Sequence, residues 1–295
     1  MSSPSQQFSV ADLEVTASDF DMCRALDIFQ KQGALVVRGL SRHYVEPLMR
    51  DIEEALERAC NALPQAKRSE THADAWITPD GSSFNEDPDK PGRMLINGLR
   101  CNALTSAAFL ESLLNPSLLE ILEEILGPDI ELWRWGQTIY RQPDCGVPKS
   151  LHQDEFYFEH KLHSTVAVLT YAVDVDLDNS PLHVVPGSHK LGVLEHVDDQ
   201  WAGFALQDPA WWDRAVPITG RAGDSIIFNG LTVHGSPANR SDRARPVFIQ
   251  RYRRADDFCV VDVSNVADRE KSLKDPITQK TSEDWGLMVR GLRRN

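Results

Sequence analysis

Apolar residues recur at helical spacing in three stretches of the first 130 residues. Met22, Leu26, Ile28 and Phe29 follow Asp19, the expected N-cap, and Gly33 is the expected stop. Residues 44–63 carry apolar side chains at 45, 48, 52, 55 and 56, which predicts a second helix. Residues 109–126 repeat the period until Gly127-Pro128-Asp129 ends it. Residues 34–39 between the first two helices read as a short buried strand. Residues 67–91 are rich in Asp, Ser, Gly and Pro and read as a long loop, either a lid or a mobile segment. Beyond residue 130 the pattern shortens. Residues 130–140, 165–174, 224–234 and 246–253 read as strands, with an insertion over 197–212. Helices first and strands later predict an α+β arrangement, or a barrel or sandwich with helical cover. No repeat or linker divides the chain. It reads as a single domain over 1–295, with a helical cover to about residue 130, a β core to about 260 and a tail over 261–295.

Composition narrows the function classes. The 295 residues include 31 Lys+Arg and 44 Asp+Glu, for a net charge of −13. An acidic chain is a poor match to a phosphate backbone, so no nucleic-acid partner is expected. No apolar run approaches the roughly 20 residues of a membrane span. The first residues have neither the basic flank nor the apolar stretch of a signal peptide. The expected setting is therefore cytoplasmic. Cysteines at 23, 60, 101, 145 and 259 are odd in number and widely spaced, which fits reduced thiols.

The chemistry concentrates in Leu151-His152-Gln153-Asp154. On an extended chain, residues i and i+2 share a face, so His152 and Asp154 present an imidazole and a carboxylate together. His234, at the end of the strand predicted over 224–234, is the best candidate for a third ligand. Two histidines and one carboxylate with open positions is the set used by non-heme Fe(II) oxygenases. Eleven residues beyond His234, Arg245 opens the next predicted strand. A guanidinium there could clamp a dicarboxylate at two points.

With these residues in place, the sequence resembles the phytanoyl-CoA dioxygenase (PhyH) family of Fe(II)/2-oxoglutarate-dependent oxygenases. The resemblance rests on LHQDEFYF at 151–158, PLHVVPGSHK at 181–190, GDSIIFNGLTVHGSPANRS at 223–241, Arg245, and QGALVVRGL near the N-terminus. It implies a double-stranded β-helix, a jelly-roll or cupin-like barrel, with N-terminal and covering helices. It implies that His152, Asp154 and His234 bind Fe(II), and that Arg245 and Ser236 hold the far carboxylate of 2-oxoglutarate. O2 is the implied cosubstrate. Gln153 and Thr170 stand where family members approach 2-oxoglutarate, and Asn97 where relatives place a polar pocket contact. Gln137 and Ile139 share one face of their predicted strand and are expected to point inward, Gln137 toward the cosubstrate.

Other residues are weighed against plainer roles. Phe156, Tyr157 and Phe158 follow the dyad, and Phe156 or Phe158 is expected to wall the substrate pocket. His183 is a candidate substrate contact, although a hydrogen-bonded core or rim histidine is the favoured role. His189 is expected to be structural. His160 and His163 are expected in a loop, either solvent-exposed or at the pocket mouth. Trp133 and Trp135 are expected in the core. Arg290, Arg293 and Arg294 read as a solvated tail. Arg251, Arg253 and Arg254 read the same way, though Arg251 shares strand parity with Arg245. The carboxylate at Asp154 favours hydroxylation or another oxidation over halogenation. The expected activity is oxidation of an unactivated C–H of a small molecule, with succinate and CO2 as co-products. Lacking a convincing basic groove for a CoA ester, the sequence favours a natural product as substrate. An acyl-CoA hydroxylase, a non-catalytic cupin-like binder and a zinc hydrolase are the alternatives. Oligomeric state is not legible.

Overall fold

The computed structural model describes residues 8–69, 75–199, 203–263 and 265–294. The first helix runs over Met22–Gln32. Its N-cap is Asp21 rather than Asp19, since the Asp21 carboxylate accepts from the Arg24 amide at 3.1 Å. Gly33 ends it at φ 73°, a left-handed backbone that glycine adopts without steric cost. The second helix, Val45–Ala62, buries Leu48, Ile52, Ala55 and Ala59, one stripe at three- and four-residue spacing. The helix expected over 109–126 is two, Ala107–Leu113 and Pro116–Leu126. Pro116 lacks the amide hydrogen needed to continue a helix, and Asn115 caps the new one through Ser117 N.

The largest sheet has eight strands. Its order is Glu14–Thr16, Ala34–Arg38, Ser225–Asn229, Val166–Tyr171, Arg245–Arg254, Ile130–Leu132 and Leu287–Arg290. Gln137–Arg141 also pairs with Arg245–Arg254. All of these pairs are antiparallel except the first, which is parallel. The ten-residue strand Arg245–Arg254 thus serves two partners on one edge. The single strand expected over 130–140 is split between them, because Arg134 and Gly136 take φ values of 66° and 72°. This turn leaves Trp133 buried and Trp135 43% exposed, so Trp135 is not a core residue.

A second sheet of four strands is ordered Val216–Ile218, Leu182–Val184, His234–Ser236 and Lys149–His152. Residues expected to form one strand over 224–234 therefore belong to both sheets. The chain leaves the large sheet at Asn229, turns, and enters the small one at His234.

The N-terminal part is not a purely helical cover. Two of its strands complete the large sheet. The stretch expected as a loop over 67–91 contributes to a four-stranded antiparallel sheet of Lys67–Arg68, Ala75–Ile77, Ser83–Glu86 and Met94–Gly98. Residues 70–74 of that stretch lie outside the described residues, as do 1–7 at the chain start. Within the 197–212 insertion, Val197–Asp199 pairs with Gly203–Ala205 and Ala210–Arg214 is a short helix; residues 200–202 are outside the description.

The residues expected as a tail are folded. Leu287–Arg290 pairs with Ile130–Leu132, and Arg293 reaches the buried Glu131. Arg290 pairs with Glu123 and Arg294 with Asp129. Arg253 is fully buried between Glu131 and Asp284. A buried guanidinium requires such partners, since an unpaired buried charge is costly. The solvated reading is thereby corrected for Arg251, Arg253 and Arg293; Arg254, paired with Asp256 at the surface, and the exposed Arg294 fit it. All five cysteines are free thiols. Among the described residues no helix is long and apolar enough to cross a membrane.

Candidate metal centre and pocket

His152 is the last residue of its strand, and Asp154 is the first of a one-turn helix, Asp154–Tyr157. Gln153 between them is extended, at φ −112° and ψ 136°. The two-residue alternation therefore persists through it and brings His152 and Asp154 to one side. His234 opens the neighbouring strand and is the register partner of His152. Each imidazole Nε2 lies close to Asp154 Oδ1, at 4.0 Å for His152 and 3.9 Å for His234. One potential ligand atom from each of the three residues falls within 4.8 Å of the others, and all three residues are buried.

Hydrogen bonds fix the tautomers. His152 Nδ1 donates to Ser150 O at 2.8 Å, and His234 Nδ1 donates to Thr232 O at 2.9 Å. A carbonyl only accepts, so each proton sits on Nδ1 and each Nε2 lone pair faces Asp154. Burial holds both histidines below the usual imidazole range, and their mutual repulsion adds to this for His152. Burial works against the Asp154 charge, but the Arg251 guanidinium and both imidazoles outweigh it and hold this carboxyl well below its ordinary value. Neutral imidazoles and an ionised carboxylate are the protonation states a metal needs. The donor set fits ferrous iron: two nitrogens and one carboxylate, with the cavity open beside them.

That cavity has a volume of about 1000 Å³. Arg245 reaches it from the long strand and is 2% exposed. Its Nη2 lies 3.4 Å from both Ser180 Oγ and Ser236 Oγ, and its Nε has no hydrogen-bond partner. Among the described residues, no carboxylate lies within ion-pair distance of it. A buried guanidinium without an anion is costly, and burial lowers its pKa to about 10. The geometry suits an incoming carboxylate.

Besides the three-residue cluster, Arg245 and Ser236, the residues Gln137, Ile139, Asn97 and Phe158 line the cavity. Four expected contacts do not. Gln153 is turned away: its Nε2 donates to Gly192 O and Leu231 O at 2.9 and 2.6 Å, and its Oε1 accepts from Leu194 N at 2.7 Å. The alternation that presents His152 and Asp154 necessarily sends Gln153 the other way. Thr170 lies on the far face of its strand, where its Oγ1 is 2.8 Å from Ser225 Oγ; its neighbour Leu169 lines the cavity instead. Phe156 is buried and stacks on His196, with ring centroids 4.2 Å apart. His183 donates to Pro181 O and packs its ring against Trp212, the satisfied role that its sequence context favoured. His160 is buried in a strand rather than exposed in a loop, and His163 pairs with Glu155. His189 reaches Gln30 O, as a structural histidine does.

Sequence reasoning missed several polar cavity residues, Lys149 and Arg141 among them. Lys149 Nζ bonds Tyr157 Oη at 3.1 Å, and burial, followed by the Arg141 charge, brings its pKa down to about 8. Arg141 continues the alternation Gln137, Ile139, Arg141, so parity could have found it. Parity did single out Arg251, which follows Arg245 by six residues on the same face and grips Asp154.

The description phytanoyl-CoA dioxygenase (PhyH) matches residues 29–247, three quarters of the chain, and the protein belongs to that family. Bos taurus peroxisomal phytanoyl-CoA dioxygenase is 30% identical over 203 residues, covering 61% of this chain and 59% of that one. The dioxygenase aneA of Aspergillus aculeatus is 25% identical over 236 residues, covering 74% and 67%. The chain spans about half the length of the curated relatives it matches. Among solved structures, the non-heme monooxygenase ThoJ superposes with a TM-score of 0.62 at 19% identity, covering 92% of this chain and 84% of that one. SnoK, a non-heme alpha ketoglutarate dependent carbocyclase from nogalamycin biosynthesis, gives 0.60 at 20% identity, covering 90% and 97%. At such identities the likeness is one of fold.

Proposed function

We propose that this protein is an Fe(II)/2-oxoglutarate-dependent oxygenase that oxidises an unactivated C–H of a small molecule. The observation that carries this reading is the pairing of a His152–Asp154–His234 cluster with a buried, anion-less Arg245 in one cavity. The large and small sheets then form the two walls of a double-stranded β-helix, and residues 1–295 act as one catalytic domain.

In this reading His152, Asp154 and His234 hold the iron. Bound iron, with 2-oxoglutarate and O2, supplies the oxidising power, and succinate and CO2 are the co-products. The chain's own work is positional. Arg245 and Ser236 hold the far carboxylate of 2-oxoglutarate, and Gln137 and Asn97 are polar wall contacts. Ile139, Phe158 and Leu169 give the substrate an apolar wall and keep bulk water from the reacting carbon. Arg251 keeps Asp154 ionised and oriented. The cavity volume suits a compact metabolite, which supports a natural product as substrate over a CoA ester.

The test is aerobic turnover of the full chain with Fe(II) and 2-oxoglutarate, reading succinate. Wild type should form it, slowly even without substrate, and His152→Ala and Asp154→Ala should form none. Full turnover by either variant would sink the metal assignment. A zinc hydrolase would instead retain zinc and show no dependence on Arg245.

A further inference from the structure

Arg141 is the one cavity arginine besides Arg245 without a carboxylate partner among the described residues. Arg251 is matched by Asp154, and Arg134 by Asp262. Arg141 Nη1 donates to Val147 O at 2.8 Å, which anchors the guanidinium, while its Nε has no partner. Two of the cations that line the same cavity, Arg245 and Lys149, feel its charge. In strand register Arg141 stands opposite Arg245, and its charge depresses the pKa of both Arg245 and Lys149. Burial also lowers its own pKa. Collecting like charges in a low-dielectric cavity is unfavourable, and among the described residues no carboxylate pairs with Arg141 to offset it.

The charge balance says how much anion the cavity takes. The lining carries six cations, Arg134, Arg141, Lys149, Arg245, Arg251 and Lys271, against the carboxylates of Asp154, Asp262, Asp268 and Asp275, and the Asp199 carboxylate acts on Lys149 from outside it, which leaves one positive charge in excess. On the oxygenase reading, iron adds two positive charges and 2-oxoglutarate removes two, so positive charge remains. The hydroxyls of Ser180 and Ser236 converge on Arg245. Arg141 instead sits on the wall carrying Cys145, Val147 and Pro148, with apolar Leu95 and Ile139 also on the cavity lining. A flat oxyanion on an apolar body matches a guanidinium beside such a wall.

We propose that the organic substrate carries a carboxylate and that Arg141 binds it. This inference rests on the oxygenase reading, in which Arg245 is taken by 2-oxoglutarate. It makes Arg141 a specificity determinant, with Lys149 adding long-range attraction.

The test uses the full chain loaded with Ni(II), which binds the iron ligands without turnover, and saturated with 2-oxoglutarate. Octanoate and octanamide, and 4-phenylbutyrate and 4-phenylbutyramide, are the probes, titrated calorimetrically. Each acid should bind at least about tenfold more tightly than its amide, the scale of a charged hydrogen bond. Arg141→Met should erase that preference, Arg141→Lys should keep part of it, and both should lower 2-oxoglutarate affinity far less than Arg245→Ala does, which also shows that they fold. Equal binding of acid and amide by wild type, measurable or not, overturns the proposal. So does a preference that survives Arg141→Met, or a loss of 2-oxoglutarate affinity in Arg141→Met to match Arg245→Ala. If wild type does not bind 2-oxoglutarate at all, the oxygenase reading falls instead. The acid preference, measured then in Arg245→Ala, still decides the role of Arg141.

Discussion

Arg251 grips Asp154 with two nitrogens: Nε donates to Oδ2 at 2.8 Å and Nη2 to Oδ1 at 3.2 Å. Asp154 Oδ1 is also the oxygen that faces both histidines. The arginine therefore sets both the charge and the orientation of the candidate ligand. Arg251→Ala should weaken Ni(II) or Fe(II) binding by about 10- to 100-fold, the usual effect of removing a partner that orients a ligand. Arg251→Lys should recover part of that, having the charge without the fork. Calorimetric metal titration is the check, and equal or tighter binding by Arg251→Ala would mean that Arg251 competes with the metal.

Arg245 is buried beside two hydroxyls and lacks an anion. Replacing it with Ala should raise the 2-oxoglutarate requirement by about 10- to 150-fold, the span of one hydrogen-bonded ion pair. Metal affinity measured without 2-oxoglutarate should not change. An unaltered 2-oxoglutarate dependence would show that the cosubstrate carboxylate lies elsewhere.

Thr170 belongs to a hydroxyl chain rather than to the cavity: Thr170 Oγ1 meets Ser225 Oγ, which in turn meets Ser41 Oγ at 3.0 Å. Thr170→Val should cost about 1–3 kcal/mol of stability, because Ser225 loses a buried partner. Its 2-oxoglutarate affinity should equal that of wild type. A selective loss of that affinity would place Thr170 back in the pocket.

Two histidines outside the metal cluster predict acid sensitivity. Burial holds His160 at about 3 and His196 at about 4. In the unfolded chain both take up a proton near pH 6.5, so the unfolded state binds more protons below that pH. The stability these groups contribute is present above about 6.5 and is lost as the pH falls toward 4 and then 3. Each group costs about 1.4 kcal/mol per pH unit within its window. Urea midpoints of the metal-free protein at pH 7, 6 and 5 measure the slope. His160→Phe, which keeps a ring against Trp133, should flatten it, and an unchanged slope would mean that His160 is already protonated.

How far the sequence reaches depends on whether a pattern is local. The helix at 45–62, the buried strand at 34–38 and the His-x-Asp dyad follow from periods of 3.6 and 2, because a side chain's direction is set by its own backbone. The split at Pro116 was legible from the missing amide hydrogen, though the apolar period hid it. Arg141 was legible in principle from its parity with Gln137 and Ile139.

What the sequence by itself determined is the chemistry available: the dyad, His234, Arg245 and the alternation that presents them. It could not say that residues 67–68, 75–77, 83–86 and 94–98 pair into a sheet, since short polar strands gain stability only from neighbours. Nor could it say that residues 287–290 complete the large sheet, because their partner lies some 155 positions earlier. Only the tertiary structure decided which cations found carboxylates. Arg253, Arg251 and Arg141 are close in type and context along the chain. Three-dimensional packing gave the first Glu131 and Asp284, the second Asp154, and the third no acid at all among the described residues. Ion pairing depends on distances of a few ångströms between residues far apart in sequence, and no period along the chain encodes those distances.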